Sequence, residues 1–96
     1  MKKGYIIGQI TITNADNYNA YASSTEQIIK KFGGKYLVRG GAQDVKEGNP
    51  SGNRNVVVEF ESTERANAFY NSEEYAKIID IRKDNSEGYF VIIEGY

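Results

Sequence analysis

The chain contains no cysteine and no histidine. Without thiols there is no disulfide to staple the fold, no thiolate nucleophile and no cysteine-held metal. Without imidazole, the commonest general base, the commonest transition-metal ligand and the side chain that titrates near neutrality are all missing. These two absences exclude Ser-His-Asp and Cys-His catalysis, structural zinc and a two-histidine-one-carboxylate iron centre. Charge of one sign is lacking too: 12 basic and 13 acidic residues leave a net charge of −1. A nucleic-acid binder carries a basic stripe, because phosphate neutralisation supplies most of its affinity. The sequence has no such stripe, and no nucleic-acid partner is expected. Long hydrophobic runs are also missing. The apolar stretch Tyr5 to Ile12 follows Lys2-Lys3 and is interrupted by Gly8, Gln9 and Thr11, too short and too polar for a signal segment or a membrane span. The expectation is a cytoplasmic protein with no membrane partner and no cofactor.

What is present is enough for one small domain. Ninety-six residues suit a single unit spanning 1–96, one that buries about 60–65% of its unfolded surface and sits near the marginal end of stability. Gly4 to Thr13 alternates, with Ile6, Ile10 and Ile12 on one side and Tyr5, Ile7, Gln9 and Thr11 on the other, which predicts a strand. Asn14 then offers an N-cap with Asp16 in the first turn. Tyr18, Tyr21, Ala22, Thr25, Ile28, Ile29 and Phe32 recur at three- and four-residue steps as a helical stripe, which Gly33-Gly34 ends.

Lys35 to Arg39 predicts a second strand, with Gly40-Gly41 as a bulge or bend and Asp44 to Glu47 as its continuation. After the turn-rich Gly48 to Asn53, a third strand spans Asn55 to Glu61, pairing with the second as a hairpin. Ser62 caps the next helix, in which Ala66, Phe69 and Tyr70 face inward. Asn71-Ser72 interrupts it, and Ser72 caps a further piece carrying Tyr75, Ala76, Ile78 and Ile79. Tyr89 to Glu94 is the last strand. The order β-α-β-β-α-β is the split βαβ pattern of a ferredoxin-like α+β fold: a four-stranded antiparallel sheet with helices on one face.

Two helical regions can cover only one face of that sheet. The strands, however, are apolar on both sides. A water-exposed second face would alternate cleanly with polar residues. Here it is expected to hold Tyr5, Ile7, Leu37, Val57, Phe90 and Ile92, more apolar surface than a monomer usually exposes. A second copy packed sheet against sheet about a two-fold axis is the simplest cover, which predicts a homodimer through the sheet face.

Lys3-Gly-Tyr-Ile-Ile7, Phe32-Gly-Gly-Lys-Tyr-Leu-Val-Arg-Gly-Gly41 and Glu47-Gly48, with Val57-Val-Glu-Phe60 and Phe69-Tyr-Asn-Ser-Glu-Glu-Tyr75, form a recognisable set. Together with Arg82, Ser86 and Val91-Ile-Ile-Glu-Gly95, they make the chain resemble the bacterial domain-of-unknown-function 1330 family over essentially its whole length. That resemblance implies a dimeric α+β barrel, the superfamily fold of antibiotic-biosynthesis monooxygenases and related small enzymes. It implies no activity, since the fold hosts both enzymes and non-catalytic proteins. The hairpin tip around Gly52, Asn53 and Asn55 departs from the family pattern.

Among residues suited to chemistry, Arg39 and Arg82 could converge to hold a carboxylate or enolate with their planar forks. They could equally serve structure, Arg39 pairing with Glu59 or another strand carboxylate and Arg82 capping helical carbonyls or bridging to Asp84. Glu59 lies mid-strand on the face away from the helices, placed either as a proton acceptor or as half of an interface ion pair. Tyr18, Tyr21, Tyr70 and Tyr75, from a chain with eight tyrosines, suit the aromatic wall of a small-molecule pocket between helices and sheet, or an ordinary core edge. Gly40-Gly41 lacks the following helix N-terminus of a phosphate loop. Asp80, Asp84 and Glu87 lack the ordered spacing of a calcium loop and read as surface acids. Arg54 to Phe60 lacks the stacking aromatics of an RNA-binding strand. Two functional expectations remain: a dimeric small-molecule-binding module, or a cofactor-independent monooxygenase- or isomerase-like enzyme acting on a small carbonyl or phenolic substrate. In the second, Arg39 and Arg82 would orient the anion, and Glu59 or a tyrosine would move the proton.

Overall fold

The alternating segment near the start forms strand β1 (Gly4–Ile12), and the helical stripe forms α1 (Ala15–Lys31) in a computed structural model that describes residues 2–96. Asn14 caps α1 as its side chain predicts, its Oδ1 accepting from the Asn17 N–H at 3.0 Å. The chain returns as β2 (Lys35–Gly41) and β3 (Arg54–Phe60) and crosses back through α2 (Thr63–Tyr70), α3 (Glu73–Ala76) and α4 (Ile79–Asp84). It finishes in β4 (Ser86–Glu94). The starts of α2 and α3 are set by capping chemistry. Ser62 Oγ accepts from the Arg65 N–H at 3.2 Å and Ser72 Oγ from the Tyr75 N–H at 3.1 Å, so each serine opens a helix at the place its side chain predicts.

The strands lie in the order β2-β3-β1-β4, and every pairing is antiparallel. This is the ferredoxin-like α+β arrangement. Helices cover one face, where Ile6, Ile10, Val58, Phe60, Ala66, Phe69 and Tyr75 form the core. Burying each large apolar side chain in that layer contributes about 1.5–3 kcal/mol. The molecule is correspondingly a slab, 32 × 32 × 16 Å, one sheet and one helix layer thick.

Two expectations are corrected. Asp44 to Glu47 is not strand: residues 42–53 connect β2 to β3 without joining the sheet. The last rung of the β2–β3 ladder is Gly41 with Asn55; beyond it an extended segment has no partner for its backbone groups. Gln43 holds the connection instead, donating to the Gly52 carbonyl at 3.2 Å and accepting from Asn55 Nδ2 at 2.8 Å.

The second correction concerns β4. Phe90 and Ile92 belong to the helix-covered face, not the open one, because β1 pairs Gly8 with Phe90 and Ile6 with Ile92. Cross-strand partners share a face. Gly8 makes this register possible: a Cβ there would lie 2.9 Å from Phe90 Cζ, so the ring occupies the space a side chain would take. The open face is therefore built from Tyr5, Ile7, Val57, Tyr89, Val91 and Ile93, with Leu37 and Val38 at the β2 edge. Leu37 (50%), Tyr89 (42%) and Ile93 (47%) are substantially exposed.

Candidate functional site

α1 lies across the covered face with its stripe inward, burying Tyr18, Tyr21, Thr25 and Ile29. Opposite it, β3 presents Val56 and Val58 in phase with Arg54, and β2 presents Tyr36 and Arg39. Between these surfaces is a cavity of about 30 Å³, lined by these residues with Ile6, Ala22, Phe69 and Phe90. That is room for one or two water-sized groups, far below the roughly 300 Å³ of a drug-sized ligand pocket.

The walls are mainly apolar, but two buried polar atoms there have no hydrogen-bond partner: Thr25 Oγ1 and Arg54 Nε. Thr25 is 3% exposed. A mid-helix threonine ordinarily returns its hydroxyl to the carbonyl one turn back; this one does not. The Arg54 guanidinium carbon lies 5.5 Å from the Tyr18 ring centroid. The guanidinium also rests against Gly40, where a Cβ would come 2.5 Å from Nη1. Gly40 has φ +72° and sits where the β2–β3 register shifts, a glycine-dependent bulge that leaves space for the arginine.

The four tyrosines expected at the pocket form one continuous aromatic file. Ring centroids are 5.4 Å apart for Tyr18–Tyr21, 6.1 Å for Tyr21–Tyr75 and 5.5 Å for Tyr75–Tyr70. Only Tyr18 and Tyr21 line the cavity. Tyr75 is packed in the core against Phe69 at 4.6 Å, and Tyr70 opens onto a separate groove of about 260 Å³ with Asn67, Phe90, Val91 and Ile92. Burial pushes the Tyr21 and Tyr75 phenols up from their ordinary value, and burial does the same to Tyr36. These hydroxyls are proton donors near neutrality, not bases. The Thr25 hydroxyl is close enough to Tyr21 to pull its phenol slightly back down, yet no hydrogen bond of ordinary geometry joins the two.

Arg82 is 7% exposed. Its guanidinium lies 3.9 Å over the Phe90 ring, and its Nε donates to the Tyr75 hydroxyl at 3.3 Å. It neither bridges to Asp84 nor meets Arg39. Arg39, on the opposite edge strand, donates to Glu26 Oε1 and to the Ala22 carbonyl, both at 3.2 Å, and stacks on Tyr36 at 4.6 Å. Glu59 is on the other side of the sheet. There it accepts from the Tyr5 hydroxyl at 3.2 Å and lies 3.7 Å from Lys35 Nζ. Partial desolvation, then the adjacent carboxylate, pushes the Tyr5 phenol up. The structure therefore brings Tyr18 and Tyr21 together at the cavity. Arg39 stands at its rim, Arg82 is one tyrosine pair away, and Glu59 is separated from all of them by the sheet.

Sequence reasoning does not single out Arg54, Thr25 or Tyr36 as site residues. The available signals were modest: a hydroxyl inside an otherwise apolar helical stripe, and an arginine in phase with the inward valines of its strand.

The fold has relatives of equally open function. A protein of unknown function from Rhodopseudomonas palustris, RPA0582, superposes with a TM-score of 0.76 at 11% identity, covering 99% of this chain and 83% of that one. Its methylated form superposes with a TM-score of 0.77 at 11% identity, covering 99% and 82%. At that identity the likeness is one of fold. No curated protein matches the chain. Residues 3–96 match the model of the family described as domain of unknown function 1330, and the chain belongs to that family.

Proposed function

We propose that this protein is a homodimeric small-molecule-binding module of the dimeric α+β barrel type, with one ligand site per protomer between α1 and the sheet. The observation that carries the reading is the pair of unpartnered buried atoms, Thr25 Oγ1 and Arg54 Nε, belonging to two residues that line one cavity. A buried donor without a partner costs about 1–3 kcal/mol, a cost that a bound polar group would offset. The dimer is supported by the open face, where Tyr5, Ile7, Val57, Val91 and Ile93 form a contiguous apolar surface on a slab only 16 Å thick. A second slab laid on it would give the two-sided burial that such strands require.

Native mass spectrometry of freshly purified protein tests both parts at once. The expected result is a dimer mass carrying a small adduct on each protomer. A bare monomer at micromolar concentration would overturn the reading.

The enzyme alternative draws on the Arg82–Tyr75–Tyr21 chain, since a cation donating into a phenol makes that phenol a better proton donor. In this version Arg39, at the cavity rim, orients an anionic substrate directly, and Arg82 acts on it through the Tyr75 hydroxyl. The proton comes from Tyr21, because Glu59 faces the other side of its own sheet. Turnover of a carbonyl or phenolic substrate that is lost in Tyr21→Phe while the dimer persists would favour this alternative.

A further inference from the structure

The layer between helices and sheet holds two guanidinium groups that no carboxylate neutralises. Among the described residues, neither Arg54 nor Arg82 has an acidic group within ion-pair distance. The acid at the cavity rim, Glu26, is already engaged by Arg39 at 3.2 Å and by Lys30 at 3.8 Å. Arg82 is partly compensated by the Phe90 ring and the Tyr75 oxygen. Arg54 has no such compensation at its Nε, which is buried without a partner. Arg54 is half-buried, but the Nε–H that is withdrawn from solvent is left unpaired at a cost, and no acceptor for it is supplied by the described residues.

We propose, building on the ligand-binding reading above, that the cavity is a site for a small monocarboxylate, with Arg54 and Thr25 as its two donors. The Arg54 Nε and its neighbouring Nη present a side-on fork that matches the two oxygens of a carboxylate. Thr25, whose hydroxyl is not spent on its own helix, donates a third hydrogen bond from the α1 side. Volume and polarity set the size of the ligand. About 30 Å³ is filled by the two water-sized oxygens of one carboxylate, so the remainder of the ligand is limited to a methyl-sized group at the cavity mouth, against an otherwise apolar wall of Ile6, Val56, Val58 and Phe69. Phosphate or sulfate would need more donors than the two found here. Tyr18 and Gly40 act as positioning residues: the ring lies beside the guanidinium and the missing side chain leaves it room.

The test uses acetate as probe and acetamide as its neutral counterpart of the same shape. Both are titrated at constant ionic strength while the Nε–H resonance of Arg54 is followed by NMR. The expected result is a saturable shift with acetate and at least tenfold weaker binding of acetamide. Arg54→Gln should weaken acetate at least tenfold, and Thr25→Val about fivefold. Equal binding of acetate and acetamide would overturn the carboxylate assignment while leaving a ligand pocket in place. Acetate binding that survives Arg54→Gln unchanged would overturn it as well, by placing the anion elsewhere. If neither probe binds and native mass spectrometry finds no adduct, the carboxylate site and the binding function fall together.

Discussion

The hydroxyl oxygens of Tyr21 and Tyr75 lie 2.7 Å apart in the buried layer, joining residues 54 positions apart in sequence, and Arg82 donates to the second of them from 3.3 Å. Either hydroxyl can donate to the other, and the cation on the Tyr75 oxygen polarises the pair so that each bond strengthens the next.

Removing either hydroxyl should therefore have unequal effects. Tyr21→Phe loses one hydrogen bond and is expected to cost about 1 kcal/mol. Tyr75→Phe also strips Arg82 Nε of its acceptor, and the expected cost is about 2–3 kcal/mol. Urea denaturation of the two single variants and the double variant checks this. A double-variant cost equal to the sum of the singles would show that the two phenols do not act as a unit.

The same phenols set the alkaline limit of stability. Burial raises their folded-state pKa values above the ordinary 10.0, so above that pH the unfolded chain releases protons that the folded chain still holds. The stabilisation is complete below pH 10 and is lost as pH rises toward the folded values, by about 1.4 kcal/mol at pH 11 for a phenol still protonated in the fold. With no histidine in the chain, melting temperature should stay nearly level from about pH 6 to 9 and then fall. Thermal melts across that range and on to about pH 11 read this directly, and a decline centred near pH 7 would contradict it.

Thr25→Val should stabilise the unliganded protein. The valine keeps the shape of the side chain and removes a hydroxyl that has no partner in a residue only 3% exposed. The expected gain is about 1 kcal/mol, seen as a higher melting temperature. A clear loss would mean that the hydroxyl is bonded after all, with Tyr21 as the neighbour within reach.

Gly8→Ala should be costly despite its single added methyl. The new Cβ would meet the Phe90 ring at 2.9 Å, and that ring carries the Arg82 guanidinium at 3.9 Å. Displacing both is expected to cost about 1–3 kcal/mol. Chemical denaturation compared with Gly33→Ala would separate crowding from backbone effects, since Gly33 has φ +81° and nothing within 4 Å.

Val91→Glu distinguishes an exposed face from a paired one. Val91 is 39% exposed in the single chain, and a surface change of this kind usually shifts stability by less than about 0.5 kcal/mol. On a dimer interface it would place a charge in each buried face and should raise the dimer dissociation constant by at least a hundredfold. Sedimentation over a concentration series measures it; an unchanged dimer would locate the interface elsewhere.

The amino-acid sequence by itself determined the order of elements, the serine and asparagine caps, the inward stripe of α1 and the exclusion of thiol and imidazole chemistry. These depend on neighbours within one turn or one strand, where periodicity and capping chemistry act directly. Tertiary structure decided which side of β4 is covered. Tyr89, Val91 and Ile93 are as apolar as Phe90 and Ile92, so alternation cannot choose between them, and the pairing of Phe90 with Gly8 does. It also decided the partners of the arginines. A guanidinium on a long flexible stem can reach acids on several elements, and only packing assigned Glu26 to Arg39, the Tyr75 hydroxyl to Arg82 and no partner to the Nε of Arg54.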